Sequence, residues 1–107
     1  MLDARVKNGQ VDDLARAMIE LEDMNEAYSF FEDIFTIHEL QAVAQRLAVA
    51  RLLRQRVTYQ EIAERTGAST ATISRVNRCL TYGAGGYQLM LNKLDALDAE
   101  KAEAKEE

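Results

Sequence analysis

Six serine and threonine side chains and three arginines fall within one 23-residue stretch, TYQEIAERTGASTATISRVNRCL, residues 58–80. Short hydroxyl side chains can hydrogen bond to base edges, and arginine matches phosphate or guanine. The single histidine, His38, and the single cysteine, Cys79, form neither a zinc site nor a nucleophile–base pair. The chemistry that these residues predict is therefore binding, and no enzyme activity is expected.

Helix start and stop signals place these side chains on two short helices. Thr58 and Glu61 have the spacing of a capping box. Gly67 falls where the chain must turn sharply, since a positive φ is cheapest for glycine. Ser69 is a natural N-cap for the helix that follows. The predicted helices are 59–66 and 70–80.

The two predicted helices have an apolar face and a polar face. The apolar positions have the spacing of a helix-turn-helix, with a small residue where the helices cross. They are Ile62, Ala63, Ile73, Val76 and Leu80. We expect the opposite face and the nearby basic residues to contact DNA. These candidates are Arg54, Arg56, Tyr59, Gln60, Ser69, Thr70, Ala71, Thr72, Ser74, Arg75 and Arg78.

Positive charge is concentrated around this segment. Residues 43–80 contain seven arginines and two glutamates, a net charge of +5, although the whole chain carries −5. Such a distribution is typical of a DNA-binding face on an acidic protein. Arg65 lies close in sequence to Glu61 and Glu64 and is expected to pair with them. Four arginines have no local acidic partner and are expected to contact phosphate: Arg54, Arg56, Arg75 and Arg78.

Length and composition predict one soluble, all-α domain. The chain has 107 residues, 48% hydrophobic and 29% charged, and contains no proline. No apolar run approaches the roughly 20 residues of a membrane span. A single cysteine excludes a disulfide framework and suits a cytoplasmic protein. We expect no metal and no cofactor.

The segment 11–35 is predicted to be a long helix that packs against another chain. Fourteen of its 25 residues are apolar, which is wider than the stripe of an ordinary surface helix. A single helix over this range would bury both sides most simply against a second copy of the chain. The alternative is a monomeric bundle in which this helix is central. The sequence favours a homodimer.

Other local patterns set the remaining boundaries. Thr36 and Glu39 form a second capping box, followed by helical spacing over 40–53 that fits one helix or two. The run GAGG predicts a flexible break between helices rather than a phosphate loop. The expected organisation is a flexible N-terminus at 1–10, a helical domain at 11–92 with its helix-turn-helix at 59–80, and an acidic Ala/Glu/Lys-rich tail at 93–107.

The segment 34–80 resembles the Trp repressor superfamily, particularly its small, less characterised bacterial members. The recognition segment GASTATISR is the most specific part of this similarity. The matching residues are Thr36, Glu39, Ala42, Arg46, Gly67, Ala68, Ala71, Thr72, Ile73, Ser74 and Arg75. The resemblance implies an all-α, intertwined dimer that binds operator DNA through paired helix-turn-helix units.

The resemblance also implies a candidate effector cleft. In the family, the corepressor tryptophan lies between two arginines that correspond to Arg46 and Arg75, with a threonine corresponding to Thr36. The tryptophan-responsive repressor has glycine after the second arginine, and this chain has Val76. The segment between Arg46 and Thr58 is also one residue shorter. We therefore predict DNA binding that does not require tryptophan, while a smaller or differently shaped effector stays open.

Two functions from different classes fit the sequence. The first is a sequence-specific transcriptional regulator that binds double-stranded DNA as a homodimer. The second is a helix-turn-helix module that docks a protein partner. The hydroxyl-rich outward face favours DNA, because a docking face is expected to expose larger apolar groups. The sequence does not identify the operator, the regulated genes or the direction of regulation.

Overall fold

The computed structural model describes residues 4 and 7–106, and this part of the chain is all-α. The elements are α1 (Gly9–Ile19), α2 (Met24–Ile34), α3 (Ile37–Arg54), α4 (Tyr59–Thr66), α5 (Thr70–Tyr82) and α6 (Gly86–Glu106). The predicted all-α class is confirmed. None of the helices in the described ranges is long and apolar enough to cross a membrane.

The chain divides into two compact units, residues 1–42 and 43–107, so the boundary falls within α3. The expected helical domain at 11–92 stays a prediction. The expected flexible N-terminus and acidic tail stay predictions. The helices nevertheless pass both proposed limits, because α1 begins at Gly9 and α6 continues to Glu106.

The predicted single helix over 11–35 is wrong. The chain leaves the helix after Ile19 and starts a new one at Met24. Asp23 is the N-cap of α2, and its carboxylate accepts the Glu26 N–H at 2.8 Å. The Glu26 carboxylate accepts the Glu22 N–H at 3.1 Å. These acidic side chains satisfy backbone donors locally and therefore favour a new helix start over continuation.

Neither α1 nor α2 buries a single side chain. Large apolar residues on these helices are exposed instead, including Ile19 at 78% and Met24 at 63%. Only one aromatic pair forms among the described residues, between the rings of Phe31 and Phe35 at 5.9 Å. The helices α1 and α2 are therefore rich in apolar residues, but these residues do not form a buried core within the described part of the N-terminal unit.

One continuous helix, α3, covers the segment for which the sequence left one or two helices open. It begins at the predicted capping box: the Thr36 N–H donates to Glu39 Oε1 at 2.9 Å, and the Glu39 N–H donates to Thr36 Oγ1 at 3.1 Å. It ends in a Schellman motif, in which the Val57 N–H donates to the Leu52 carbonyl and the Arg56 N–H donates to the Leu53 carbonyl.

The core lies in the C-terminal unit, where α3 to α6 meet. Its fully buried large side chains come from all four helices and are Val49, Ile62, Ile73, Val76 and Leu91. Smaller Ala50 and Ala68 complete it, and the partly buried Leu80, Tyr87 and Leu94 pack against it. The sequence correctly placed Ile62, Ile73 and Val76 on the inner face of the α4–α5 pair.

The capping box formed by Thr36 and Glu39 generates a prediction about pH. Backbone and side-chain hydrogen bonds with Thr36 lower the pKa of Glu39 from its usual 4.5. Because the folded-state pKa is the lower one, this contribution to stability is present above about pH 4.5 and is lost as the pH falls through the folded-state value. Thermal melts should show that Glu39→Ala destabilises the protein at pH 7 and that the difference from wild type shrinks below pH 4.5.

The control for this prediction is Glu64→Ala, which removes an exposed carboxylate of α4 outside either capping box. A gap between Glu39→Ala and wild type that stays constant between pH 7 and pH 3 would contradict the assignment.

Candidate nucleic-acid interface

A three-residue turn joins α4 to α5, and its glycine has the predicted positive φ. Gly67 has φ +75°, and its N–H donates to the Ala63 carbonyl at 2.9 Å. A Cβ at Gly67 would meet only Gln45 Nε2, at 3.9 Å. Glycine is therefore favoured here by its backbone conformation rather than by lack of space.

Side chains anchor this turn to the surrounding helices. Gln45 of α3 donates from Nε2 to the Thr66 carbonyl at 3.1 Å. The Thr66 hydroxyl donates to the Ile62 carbonyl at 2.7 Å and accepts the Ala68 N–H at 3.1 Å. These bonds fix the path of the chain between the two helices, and they define where α5 begins.

Both helices of the pair start at the predicted N-caps. Thr58 Oγ1 accepts the Glu61 N–H at 3.2 Å, and Ser69 Oγ accepts the Thr72 N–H at 3.1 Å. The Ser69 and Thr72 hydroxyls also form a bond of 3.1 Å with each other. Ser69 and Thr72 were candidates for DNA contact; in the structure Ser69 is the N-cap of α5, and Thr72 is bonded to it through both its N–H and its hydroxyl.

The polar face of α5 is open to solvent. Its first turns present small or hydroxyl-bearing side chains and two arginines, while Ile73 and Val76 lie on the opposite, buried side. Thr72 alone among the α5 candidates is partly buried. The exposed candidates of α4 and α5 are Tyr59, Gln60, Ser69, Thr70, Ala71, Ser74, Arg75 and Arg78.

Arg54 has partners far along the chain, although it has no local acidic partner. Its guanidinium donates to Asn92 Oδ1 at 2.8 Å and to the Gln88 carbonyl at 3.4 Å, and it pairs with Asp95 Oδ2 at 3.4 Å. These partners lie on α6, 34 to 41 residues further along the chain. Arg54 therefore ties α3 to α6, and its contact with phosphate stays a prediction. The expected pairing of Arg65 with Glu61 is present at 3.9 Å.

Arg56 is held in an unusual backbone conformation. It is the only non-glycine residue in the described part of the chain with a positive φ, at 61°. It occupies the left-handed position of the Schellman motif that ends α3, where glycine is the common choice. Its side chain is exposed and lines a shallow polar groove with Asn77 and Gln88.

Three of the four residues of the candidate effector cleft come together. Arg46, Arg75 and Val76 line a cleft of about 240 Å³ with Cys79 and Tyr87. Val76 is only 2% exposed, so its methyl groups belong to the core as well as to the cleft wall. Thr36, the fourth residue, belongs to the N-terminal unit, where it caps α3.

Sequence analysis missed Tyr87 as a member of this cleft. Burial raises the pKa of the Tyr87 phenol, the electrostatic effect of nearby Cys79 raises it further, and the Arg46 guanidinium opposes both. Tyr87 follows the GAGG break, and no local pattern indicates which helix its ring contacts. The only sequence feature that could have suggested a buried position for Tyr87 is the mostly apolar start of the helix after the break.

Comparison with known proteins shows the family. The Trp repressor protein family matches residues 9–95, and the chain belongs to it. The chain is 45% identical to the uncharacterized protein YerC of Bacillus subtilis (strain 168), covering 92% of this chain and 94% of that protein.

Two solved structures share the fold. A TrpR like protein from Eubacterium eligens ATCC 27750 is 49% identical, with a TM-score of 0.83, and the match covers 87% of this chain and 96% of that one. A candidate Trp repressor from Staphylococcus aureus is 40% identical, with a TM-score of 0.84, over 89% of this chain and 95% of that one.

The conformation of Arg56 generates a prediction. A left-handed backbone costs an ordinary residue about 1–2 kcal/mol, while glycine loses about 0.4–1 kcal/mol through its greater chain entropy. Arg56→Gly should therefore leave the free energy of unfolding unchanged or raise it by up to about 1.6 kcal/mol. If Arg56 is retained for its charge, the same variant should weaken binding to duplex DNA. Denaturant melts and anisotropy titrations measure the two effects.

The matched control is Lys101→Ala, which removes one exposed positive charge of α6 outside the α4–α5 pair. Arg56→Gly binding that equals wild type, or falls no further than that of Lys101→Ala, would refute a DNA-contact role for Arg56.

Proposed function

We propose that this chain is a sequence-specific, DNA-binding transcriptional repressor that acts as a homodimer through a helix-turn-helix formed by α4 and α5. The observation that carries the proposal is the exposed polar face of α5. Thr70, Ala71 and Ser74 offer small groups that can approach base edges in the major groove. The N-cap and the turn at Gly67 position this face.

Arginines flank the proposed recognition face. Arg75 and Arg78 are exposed on α5, and Arg56 is exposed at the end of α3. None of the three makes an ion pair within the described residues. Their charge is thus available for phosphates, which supply most of the affinity and fix the register of the protein on the duplex.

Uncovered apolar surface supports the dimer. In the C-terminal unit, an open groove of about 510 Å³ runs between α3, α4 and α6. Leu47 lies in this groove and is 37% exposed. The complete lining is Ala44, Leu47, Ala48, Arg51, Leu52, Arg65, Thr66 and Leu94. The exposed apolar residues of α1 and α2 form a second apolar surface that could be covered by a partner chain.

Arg51 adds a polar argument for a partner chain. Its Nε is buried and has no hydrogen-bond partner among the described residues. An unpaired buried donor costs about 1–3 kcal/mol, so such groups are normally satisfied. The N-terminal unit is rich in carboxylates, including Glu26 and Glu32 of α2. A second copy of this unit supplies both the apolar cover and the acceptor that the groove lacks.

The buried position of Val76 supports DNA binding without tryptophan. A β-branched side chain inside a helix has an almost fixed rotamer and does not swing aside for a ligand. Forcing extra volume into a packed gap costs about 1–3 kcal/mol. A smaller effector that uses the cleft beside Arg46 and Arg75 is compatible with this geometry.

The DNA contacts are tested by salt-dependent binding. If Arg78 contacts phosphate, Arg78→Ala should weaken binding to all duplexes alike. It should also reduce the slope of log affinity against log salt by about 1.8, which corresponds to one contact from each protomer. Replacing Ser74 with a bulky residue should instead change which sequence is preferred.

Lys101→Ala, which removes an exposed charge of α6, serves as the control for lost charge and should change the slope little. A negligible, salt-independent affinity of the wild-type protein for DNA would contradict the proposal and favour the docking of a protein partner. An altered sequence preference with an unchanged slope in Arg78→Ala would refute the phosphate assignment.

The dimer is tested by sedimentation at micromolar concentration. Leu47→Glu places a charge in the apolar groove and should abolish the dimer together with much of the helical signal, because folding and association are coupled. Tyr82→Glu is the matched control, since Tyr82 is 83% exposed on α5 and outside the groove. A folded, compact monomer of the wild-type chain would overturn the dimer.

A further inference from the structure

The side chain of Tyr87 connects three helices of the C-terminal unit. Tyr87 is the second residue of α6, is partly buried and packs against the hydrophobic core. It shares one cleft with Arg46 of α3 and with Arg75, Val76 and Cys79 of α5. A shift of α5 relative to α3 and α6 would therefore change the contacts of this ring.

The C-terminal half of α5 has few other attachments. Its last fully buried side chain is Val76, and only Leu80 beyond it is partly buried. The chain then passes through Gly83, where a Cβ would collide with the Cys79 carbonyl, and through Gly85, which has φ +85°. A close turn of this kind sets the direction of the chain but supplies no side chain to hold the helix.

The Tyr87 ring can pack beside charged groups without carrying a charge itself. Burial raises the pKa of Tyr87 above its usual 10.0, so the ring is neutral at physiological pH. Arg46 and Arg75 stand beside it with exposed guanidinium groups. A neutral planar ring fills space there, whereas an aliphatic side chain of similar length is narrower and more flexible.

We propose that Tyr87 is a positioning residue for DNA binding, whose ring lies against α5 in the cleft beside Arg46 and Arg75 and holds α5 at the angle that its outward face requires. This inference rests on the proposed DNA-binding function. It would also account for the proposed DNA binding without tryptophan, because an aromatic ring of the chain itself forms part of the cleft wall.

The experiment compares Tyr87→Ala and Tyr87→Phe with wild type by anisotropy titration against one duplex. Tyr87→Phe keeps the ring and should bind within about twofold of wild type. Tyr87→Ala should bind roughly tenfold more weakly or worse, which corresponds to a competent arrangement of α5 about one tenth of the time. Millimolar 4-methylphenol, which is the tyrosine side chain as a free molecule, should restore affinity to Tyr87→Ala and leave wild type unchanged.

Tyr82→Ala is the matched control, because it removes an exposed tyrosine of α5 and should bind like wild type. If Tyr87→Ala fails to fold by circular dichroism, Tyr87→Leu replaces it, since leucine keeps apolar contact with the core. A folded Tyr87→Leu that binds tenfold more weakly supports the proposal.

Either alanine or leucine variant binding within twofold of wild type overturns the role of Tyr87 alone. Weak binding by folded Tyr87→Ala that 4-methylphenol leaves unchanged also overturns it, because the ring would not be the missing element. Absence of DNA binding by the wild-type protein overturns the proposed function and this inference with it.

Discussion

The burial of Ile73 and Val76 against Ile62, Val49 and Leu91 is the packing on which the rest of the structure depends. Helices of 8 and 13 residues, such as α4 and α5, are marginal in isolation. Each fully buried aliphatic side chain contributes about 1.5–3 kcal/mol. Because these residues occupy one side of α5, the packing determines which side faces solvent. The exposed hydroxyls and arginines are thus a consequence of the core on the other side.

The same core contains few residues for a chain that is 48% hydrophobic. Only eight residues are buried in the described part, while α1, α2 and the groove beside Leu47 leave large apolar side chains exposed. Exposed apolar surface on this scale marks an interaction site rather than a finished monomer. The homodimer that we propose would cover this surface with matching apolar helices and would bring carboxylates to the buried Nε of Arg51. Folding, association and the spacing of two α5 helices would then depend on one another.

Local sequence chemistry predicted much of this structure, and long-range contacts account for what it missed. Capping residues and a turn glycine act within four residues, so the starts at Thr58 and Ser69 and the turn at Gly67 were predictable. The break before α2 carried a similar sign in Asp23 and Glu26, and the apolar content of 11–35 obscured it. The bonds of Arg54 to α6 and the position of Tyr87 in the cleft arise from tertiary packing. The positive φ of Arg56 belongs to a local Schellman motif, which the sequence does not mark with a glycine. DNA contact by the candidate residues stays a prediction.

Selection from a random pool of duplexes tests the central claim most directly. The purified protein, with no tryptophan added, is incubated with the pool, and the bound fraction is amplified and sequenced. In helix-turn-helix dimers, of which Trp repressor is one, paired half-sites lie about 34–36 Å apart, one turn of DNA. The account predicts enrichment of a two-fold symmetric site with that spacing, and equal enrichment when L-tryptophan is present. No enrichment, or enrichment only with L-tryptophan, would contradict it.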